Sequence, residues 1–332
     1  MSTHTCPVVP IVLEKHENAD SLSIVKVKDF SYVARTEDWL NHPLGVWIEP
    51  DMCVPADRPE FAWLEKSHKL IENNGIKGYR IKVKRLRGVM SMGLMIPAPE
   101  GAKLGDDLME HFGIVRYEPP EPMSTGGEAC KPPPGIRYVY DVENAYKFAH
   151  LFTDGEEVSC SEKIHGANGR WVHLPDLGMF CGSRTEWKQQ DEGNLWWKAL
   201  ARHPEVEEFC KNNPDITVYG EAYGQVGKFP YNVPKGKVGI IVFDLLRHGS
   251  WVDHDEAREI GKSLPWVPIL YRGPWNKEKI FALADGKSEV AKSAGIDHIR
   301  EGIVIRPIKE RNNLEIGRTQ LKIVSNAYLE KD

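Results

Sequence analysis

The stretch YEPPEPMSTGGEACKPPPG, residues 117–135, holds six prolines and three glycines in nineteen residues. Proline lacks a backbone N–H and its ring fixes φ, so this segment can neither propagate a helix nor lie inside a sheet. A chain of 332 residues is long enough for two cores and is expected to divide here. The expected parts are a module over 1–117, a linker over 118–136 and a second module over 137–332.

The composition restricts what the two modules can be. Apolar residues make up 41% and charged residues 27%, as in ordinary soluble domains. A net charge of −5 excludes a protein that coats nucleic acid through global basicity, but it permits a local basic patch. The six cysteines are scattered without a CxxC pair, which points to reduced thiols and neither a disulfide framework nor a zinc site. No run approaches the roughly 18 apolar residues of a membrane helix, and the first twenty residues lack the pattern of a secretory leader. A cytoplasmic, soluble protein with no membrane partner is expected.

The first module reads as short strands, SIVKVKDF (23–30), YVART (32–36), GVWIEP (45–50) and YRIKVKRLRG (79–88), set apart by Asn, Asp, Pro and Gly. About five such strands in a module this small suggest an OB-type β-barrel. In the second module, strand-like runs at 157–164, 169–174, 178–184, 215–223, 238–246, 301–307 and 319–325 alternate with helical patterns at 192–212, 253–263 and 276–295. Pro204 is placed to begin a helix. The fold class expected is α+β, with antiparallel sheets flanked by helices.

Within CSEKIHGANGR (160–170), Lys163 is crowded by Glu162, His165, Gly166 and Asn168. A lysine with pKa ~10.4 is neutral only about four times in ten thousand at pH 7, a handicap of roughly 4–5 kcal/mol for a nucleophile. A nucleophilic Lys163 therefore needs desolvation or nearby cations, and Arg170, Arg184 and Lys322 are candidates. Gly166 would let the backbone approach a bulky ligand. His165 and Asn168 suit phosphate oxygens or a ribose. Glu221 in VYGEAYG and Glu301 in REGIVIRP sit in apolar strands, and paired carboxylates are what Mg²⁺ or Mn²⁺ needs beside substrate phosphates. A lysine nucleophile, two metal-capable acids and further cations describe polyphosphate chemistry.

EKIHGAN, SRT (183–185), YGEAYG (219–224), VGIIVFDLL (238–246), EGIVIR (301–306) and QLKIVS (319–325) follow in the order of motifs I, Ia, III, IIIa, IV and V of the covalent nucleotidyltransferases. With HENADSLSIVKV (16–27), RLRGVMSMGLMIP (85–97) and LGDDL (104–108), the chain resembles ATP-dependent RNA ligases of the Deinococcus type with an N-terminal OB module. The resemblance implies a nucleotidyltransferase domain in which Lys163 attacks ATP to form a lysyl-adenylate. It implies that Glu162 holds the adenine amino group, Phe243 stacks on the ring, and His165 and Asn168 contact phosphate. It further implies Arg184 on the ribose-phosphate or 5′-phosphate, Glu221 on the ribose or metal water shell, Glu301 on the metal and Lys322 on the α-phosphate. One departure stands out: where many members carry lysine–x–lysine in motif V, this chain has Gln320 and then Lys322, and the missing charge is expected to pass to Arg318 or to be dispensable.

Between Glu72 and Glu100 there is no acidic residue, and Arg80, Lys82, Lys84, Arg85 and Arg87 fall together there. Alternation puts Arg80, Lys82 and Lys84 on one strand face, a stripe suited to backbone phosphates. The resemblance implies a monomer that seals nicked duplexes, with ribonucleotides on the 3′-hydroxyl side, in RNA repair. Rival readings are a DNA ligase or capping-type enzyme, which His165 in place of an acid disfavours, and a non-catalytic RNA-binding OB protein, which the intact Lys163, Glu221 and Glu301 disfavour.

Overall fold

The computed structural model describes residues 3–118, 127–136, 139–224, 229 and 231–331, so positions 119–126 of the expected linker lie outside the described residues. The chain forms two compact units, Met1–Pro120 with Leu329–Asp332, and Glu121–Tyr328.

The first unit is built of short strands: β1 (Val8–Pro10), β2 (Glu14–Lys15), β3 (Leu22–Val27), β4 (Phe30–Arg35), β5 (Leu44–Ile48), β6 (Met52–Pro55), β7 (Leu70–Asn73), β8 (Ile76–Arg80), β9 (Lys84–Leu86), β10 (Val89–Ser91), β11 (Leu94–Pro97) and β12 (Val115–Arg116). They pair as β1-β5-β11, β12-β6-β8-β7, β2-β3-β4 and β10-β9. Alternation decides what goes inside. Val46 and Ile48 of β5, Met52 and Val54 of β6, and Leu94 and Ile96 of β11 close on Phe61, Leu64 and Phe112 in one core.

The run 79–88 differs from the single strand expected. β8 ends at Arg80 and β9 begins at Lys84, in a different sheet. Arg87 and Gly88 adopt φ of 49° and 93°, a tight turn that folds β9 onto β10 as a separate hairpin, with Leu86 opposite Val89.

The second unit contains β13 (Glu143–Asn144), β14 (Glu157–Lys163), β15 (Gly166–Leu174), β16 (Gly178–Gly182), β17 (Trp187–Lys188), β18 (Ile216–Tyr223), β19 (Gly239–Arg247), β20 (Ser250–Trp251), β21 (Ile269–Pro274), β22 (Gly302–Pro307), β23 (Asn312–Asn313), β24 (Gly317–Arg318) and β25 (Leu321–Val324). A five-stranded sheet runs β13-β25-β22-β14-β21 and a six-stranded sheet β17-β16-β15-β18-β19-β20. Helix Pro204–Asn212 begins at its proline, and Asn194 caps Leu195–Leu200 by accepting from the N–H of Trp196 at 3.0 Å. The segment 276–295 forms two helices, Lys277–Ala282 and Glu289–Ser293, where one run was expected. Gly286 at φ 150° interrupts it, and Ser288 caps the second helix.

Each strand of the five-stranded sheet sorts its side chains by parity. Val158 and Cys160 of β14, Ile303 and Ile305 of β22, and Leu321 and Ile323 of β25 pack outward against helices Ala145–Phe148 and Lys277–Ala282. Fully burying each such aliphatic contributes roughly 1.5–3 kcal/mol. The intervening positions, Ser161, Lys163, Val304, Arg306 and Lys322, are left on the opposite face. In the six-stranded sheet, Val218, Ala222, Ile240 and Val242 pack against the other helices, while Phe243 and Glu221 fall on the face toward the first sheet.

Candidate active site

The two inward faces enclose a cleft of about 210 Å³. Of the expected residues, Glu162, Lys163, Asn168, Arg184, Glu221, Phe243 and Lys322 line it. Lys163 sits at the end of β14 opposite Gly302, which carries Glu301 alongside. The Lys163 Nζ donates to Glu301 Oε1 at 2.6 Å, with the two side chains 26% and 11% exposed.

This overturns the electrostatics expected around the lysine. Its nearest charges are carboxylates and not cations. Burial acts to lower the Lys163 pKa, but Glu301 and Glu221 outweigh it and hold the ammonium above its ordinary value. Burial also pushes the Glu221 carboxyl up to about 8, with Glu301 adding to the rise and Lys163 opposing it.

Gly166 has a role other than the one expected. A Cβ there would stand 2.4 Å from the Ala222 carbonyl oxygen and 2.8 Å from Glu221 Cγ, so the close approach it permits is that of β18 and not of a ligand. Two residues along β15, Asn168 lies in register with Glu221. The Asn168 Oδ1 and the Glu301 Oε2 are buried oxygens without a hydrogen-bond partner.

Glu162 also departs from its expected part. It borders the cleft, and its Oε2 accepts from the N–H of Glu289 at 2.8 Å and of Val290 at 3.4 Å. The carboxylate braces the start of helix Glu289–Ser293. Burial raises its pKa despite those hydrogen bonds.

His165 lies in an aromatic cluster with Phe229 and Tyr328. Its Nδ1 is 2.9 Å from the Tyr328 hydroxyl and 3.8 Å from Glu301 Oε2. Its backbone N–H donates to Tyr231 at 3.0 Å, and Phe229 meets the ring edge-on. In this structure its polar neighbours are Tyr328 and Glu301, where phosphate was expected.

Arg184 donates to Asp141 at 2.7 Å, and the Phe243 ring lies 4.6 Å from that of Tyr140. Arg170, only 2% exposed, packs over Trp187 and takes no part in the cleft. Tyr140, Asp141, Arg306 and Gln320 line the cleft without having been singled out as site residues. Beneath it, the fully buried Asp244 accepts from Arg306 Nη1 at 2.9 Å and pairs with Arg318 at 2.7 Å, while Glu310 holds both arginines. Arg318, expected as a possible substitute for the missing lysine, is committed to this network.

Among the described residues no three His, Cys, Asp or Glu side chains gather as a complete metal cage. Two carboxylates, one oxygen of which has no partner, and the unpartnered Asn168 oxygen nevertheless fit a hard divalent cation whose remaining ligands are phosphate oxygens and water.

In the first unit the basic stripe is only partly available. Arg80 pairs with Asp51 at 2.7 Å and lies over Tyr117, and Arg85 pairs with Glu330. Lys82, Lys84 and Arg87 are exposed, while Ile81 and Val83 point inward.

A lysine between carboxylates, in a cleft between two largely antiparallel sheets, is the arrangement of a nucleotidyltransferase domain. The RNA ligase family model matches residues 156–324, about half the chain, and the protein belongs to the RNA ligase family. An OB-fold domain matches residues 9–98, so the first unit is an OB-fold. Among curated proteins none matches. Structures of Naegleria gruberi RNA ligase are similar over their whole length. An apo lysine-to-alanine mutant has a TM-score of 0.83 at 23% identity, covering 100% of this chain and 99% of that one. A glutamate-to-alanine mutant with AMP and Mn gives 0.82 at 24%, covering 100% and 99%. A lysine-to-alanine mutant with ATP and Mn gives 0.79 at 24%, covering 99% and 98%. At this identity the likeness establishes the fold.

Proposed function

We propose that the protein is an ATP-dependent RNA ligase of the Deinococcus type that seals 5′-phosphate/3′-hydroxyl nicks in duplexes, with ribonucleotides on the 3′-hydroxyl side, and serves RNA repair in the cytoplasm as a monomer. The observation that carries this reading is the placement of Lys163 between Glu301 and Glu221, in the cleft that Arg184, Phe243 and Lys322 also line. The Naegleria enzyme, of the same fold, was solved with ATP and Mn and with pyrophosphate.

Three transfers follow. The Lys163 amine attacks the α-phosphorus of ATP, a P–N bond forms, and pyrophosphate leaves. The AMP then passes to the 5′-phosphate of a nucleic acid end, freeing Lys163. Finally a 3′-hydroxyl attacks that phosphate, a phosphodiester forms, and AMP departs. Phe243 stacks on the base, and Lys322 and Arg184 meet the charge that builds on phosphate oxygens. Glu221, Glu301 and Asn168 would hold Mg²⁺ or Mn²⁺, which supplies charge that neutralises the carboxylates now retaining the proton on Lys163. In the modules proposed here, 1–117 and 137–332 joined through 118–136, the OB part binds the duplex backbone. The exposed Lys82, Lys84, Arg85 and Arg87, with Arg80, would supply its phosphate contacts.

The test is covalent labelling. Wild-type protein, metal and ATP labelled at the α-phosphate should give a label that survives denaturation and is absent from Lys163→Ala. Label from GTP would mean capping chemistry, and none from either nucleotide would mean a binder. Sealing of nicks with RNA or DNA on each side then reads strand preference.

A further inference from the structure

Gln320 is 2% exposed and lines the cleft. Its Nε2 donates to the Tyr140 hydroxyl at 2.5 Å, and that hydroxyl donates to Asp244 Oδ2 at 3.1 Å. The direction of this chain is fixed. A carboxylate between two guanidinium groups offers only lone pairs, so the single Tyr140 proton goes to Asp244. The Tyr140 oxygen can then only accept from Gln320, and the amide cannot turn round without facing oxygen to oxygen. Its other end, Oε1, is buried and has no hydrogen-bond partner. A buried acceptor left unmet carries a desolvation cost that a bound donor would relieve.

We propose that Gln320 reads a hydrogen-bond donor on the bound nucleotide, an N–H of the base or a hydroxyl of the ribose. This rests on the nucleotide reading above and narrows it. Phosphate oxygens at neutral pH are acceptors, so Oε1 repels them. Gln320 thus does not replace a positive charge at this place with another phosphate contact. Its neighbours agree, since Tyr140 lies against Phe243, the ring proposed to stack on the base. Tyr140 and Asp244 act as positioning residues that hold the amide in one orientation, and Gln320 is the residue that discriminates.

The experiment measures kcat/KM for formation of the lysyl-adenylate with ATP, 2′-deoxy-ATP, 3′-deoxy-ATP and purine riboside triphosphate, which lacks the 6-amino group. Wild type should disfavour one of the three analogues by at least about tenfold relative to ATP, as loss of a partner for a buried acceptor requires. The analogue affected tells base amine from ribose hydroxyl. In Gln320→Met that ratio should fall to within about twofold while the other two ratios stay put. Tyr140→Phe, which frees the amide to turn, should erode the same ratio and serves if Gln320→Met does not fold. Wild-type ratios retained in both variants would overturn the proposal. So would a Gln320→Lys variant that raised kcat/KM for all four nucleotides alike, the mark of a phosphate contact. Wild type labelled by none of the four would overturn the nucleotidyl-transfer reading and this one with it, whereas labelling with unchanged ratios overturns this one alone.

Discussion

Replacing Asp244 by alanine should destabilise the second unit severely, and the size of the effect follows from its partners. Asp244 is fully buried; it accepts from Arg306 at 2.9 Å and from Tyr140 at 3.1 Å, and it pairs with Arg318 at 2.7 Å. With it, two guanidiniums face two carboxylates, because Glu310 reaches both arginines. Without it, one positive charge is left uncompensated among side chains only 6% and 10% exposed. Breaking a buried pair by removing one partner costs about 3–5 kcal/mol. In a unit of roughly two hundred residues, each kcal/mol lowers Tm by about 2–4 °C, so a fall of about 6–20 °C is expected. Circular dichroism melts of wild type, Asp244→Ala and Glu207→Ala would measure it. The last breaks the exposed Glu207–Lys211 pair and should shift Tm by no more than about 2 °C. An Asp244→Ala melt as close to wild type as the Glu207→Ala melt would refute the reasoning, since the arginines would then have found water or another partner.

Gly166→Ala should cost about 1–3 kcal/mol from overpacking against the Ala222 carbonyl. Its loss of adenylate formation should exceed what the melt predicts, because the strand that must move carries Glu221. Burial lowers the His254 pKa, so the unfolded chain binds the proton more readily. Stability should therefore fall as pH drops below about 6.5 toward the folded value, and His254→Gln should flatten that part of a denaturation-midpoint profile. Lys82→Ala should weaken duplex binding evenly across sequences and reduce the slope of log K against log salt by about one. A slope equal to wild type would remove Lys82 from the interface.

Runs of alternating apolar residues made the strands readable, because parity is a local property. That Lys163, Glu221 and Glu301 stand out was readable too, since charged groups at the ends of apolar strands are conspicuous, and the structure brings the three together. The hydrogen bonds that Glu162 accepts from the N–H groups of Glu289 and Val290 could not be foreseen, because those groups lie more than a hundred residues further along the chain. Gly166 was misjudged for the same reason, as its neighbour Ala222 is far along the chain and only the register of β15 on β18 reveals the contact. The Arg80–Asp51 pair and the chain from Gln320 through Tyr140 to Asp244 are likewise products of tertiary placement. No pattern within one segment could announce them.

The charges of the cleft share one arrangement. Lys163 is held by Glu301, Arg184 by Asp141, and Arg306 by Asp244 and Glu310. These pairs differ in how readily a phosphate can exchange for the carboxylate. The Arg184 pair is exposed, with side chains 42% and 60% accessible, so water screens it and little is lost when Arg184 turns to a phosphate. The Arg306 pairs are sealed, with both terminal nitrogens of the guanidinium hydrogen-bonded, so that group serves the fold. The Lys163 pair lies between these extremes, half-buried and open to the cleft. A carboxylate that stabilises its ammonium form also blocks its chemistry. In the proposed reaction Glu301 and Glu221 would hold a divalent cation together with the triphosphate, and its charge would offset the carboxylates that keep the proton on Lys163. Coupling of that kind would keep the lysine inert in the absence of a nucleotide–metal complex, which an unpaired, permanently neutral lysine could not do.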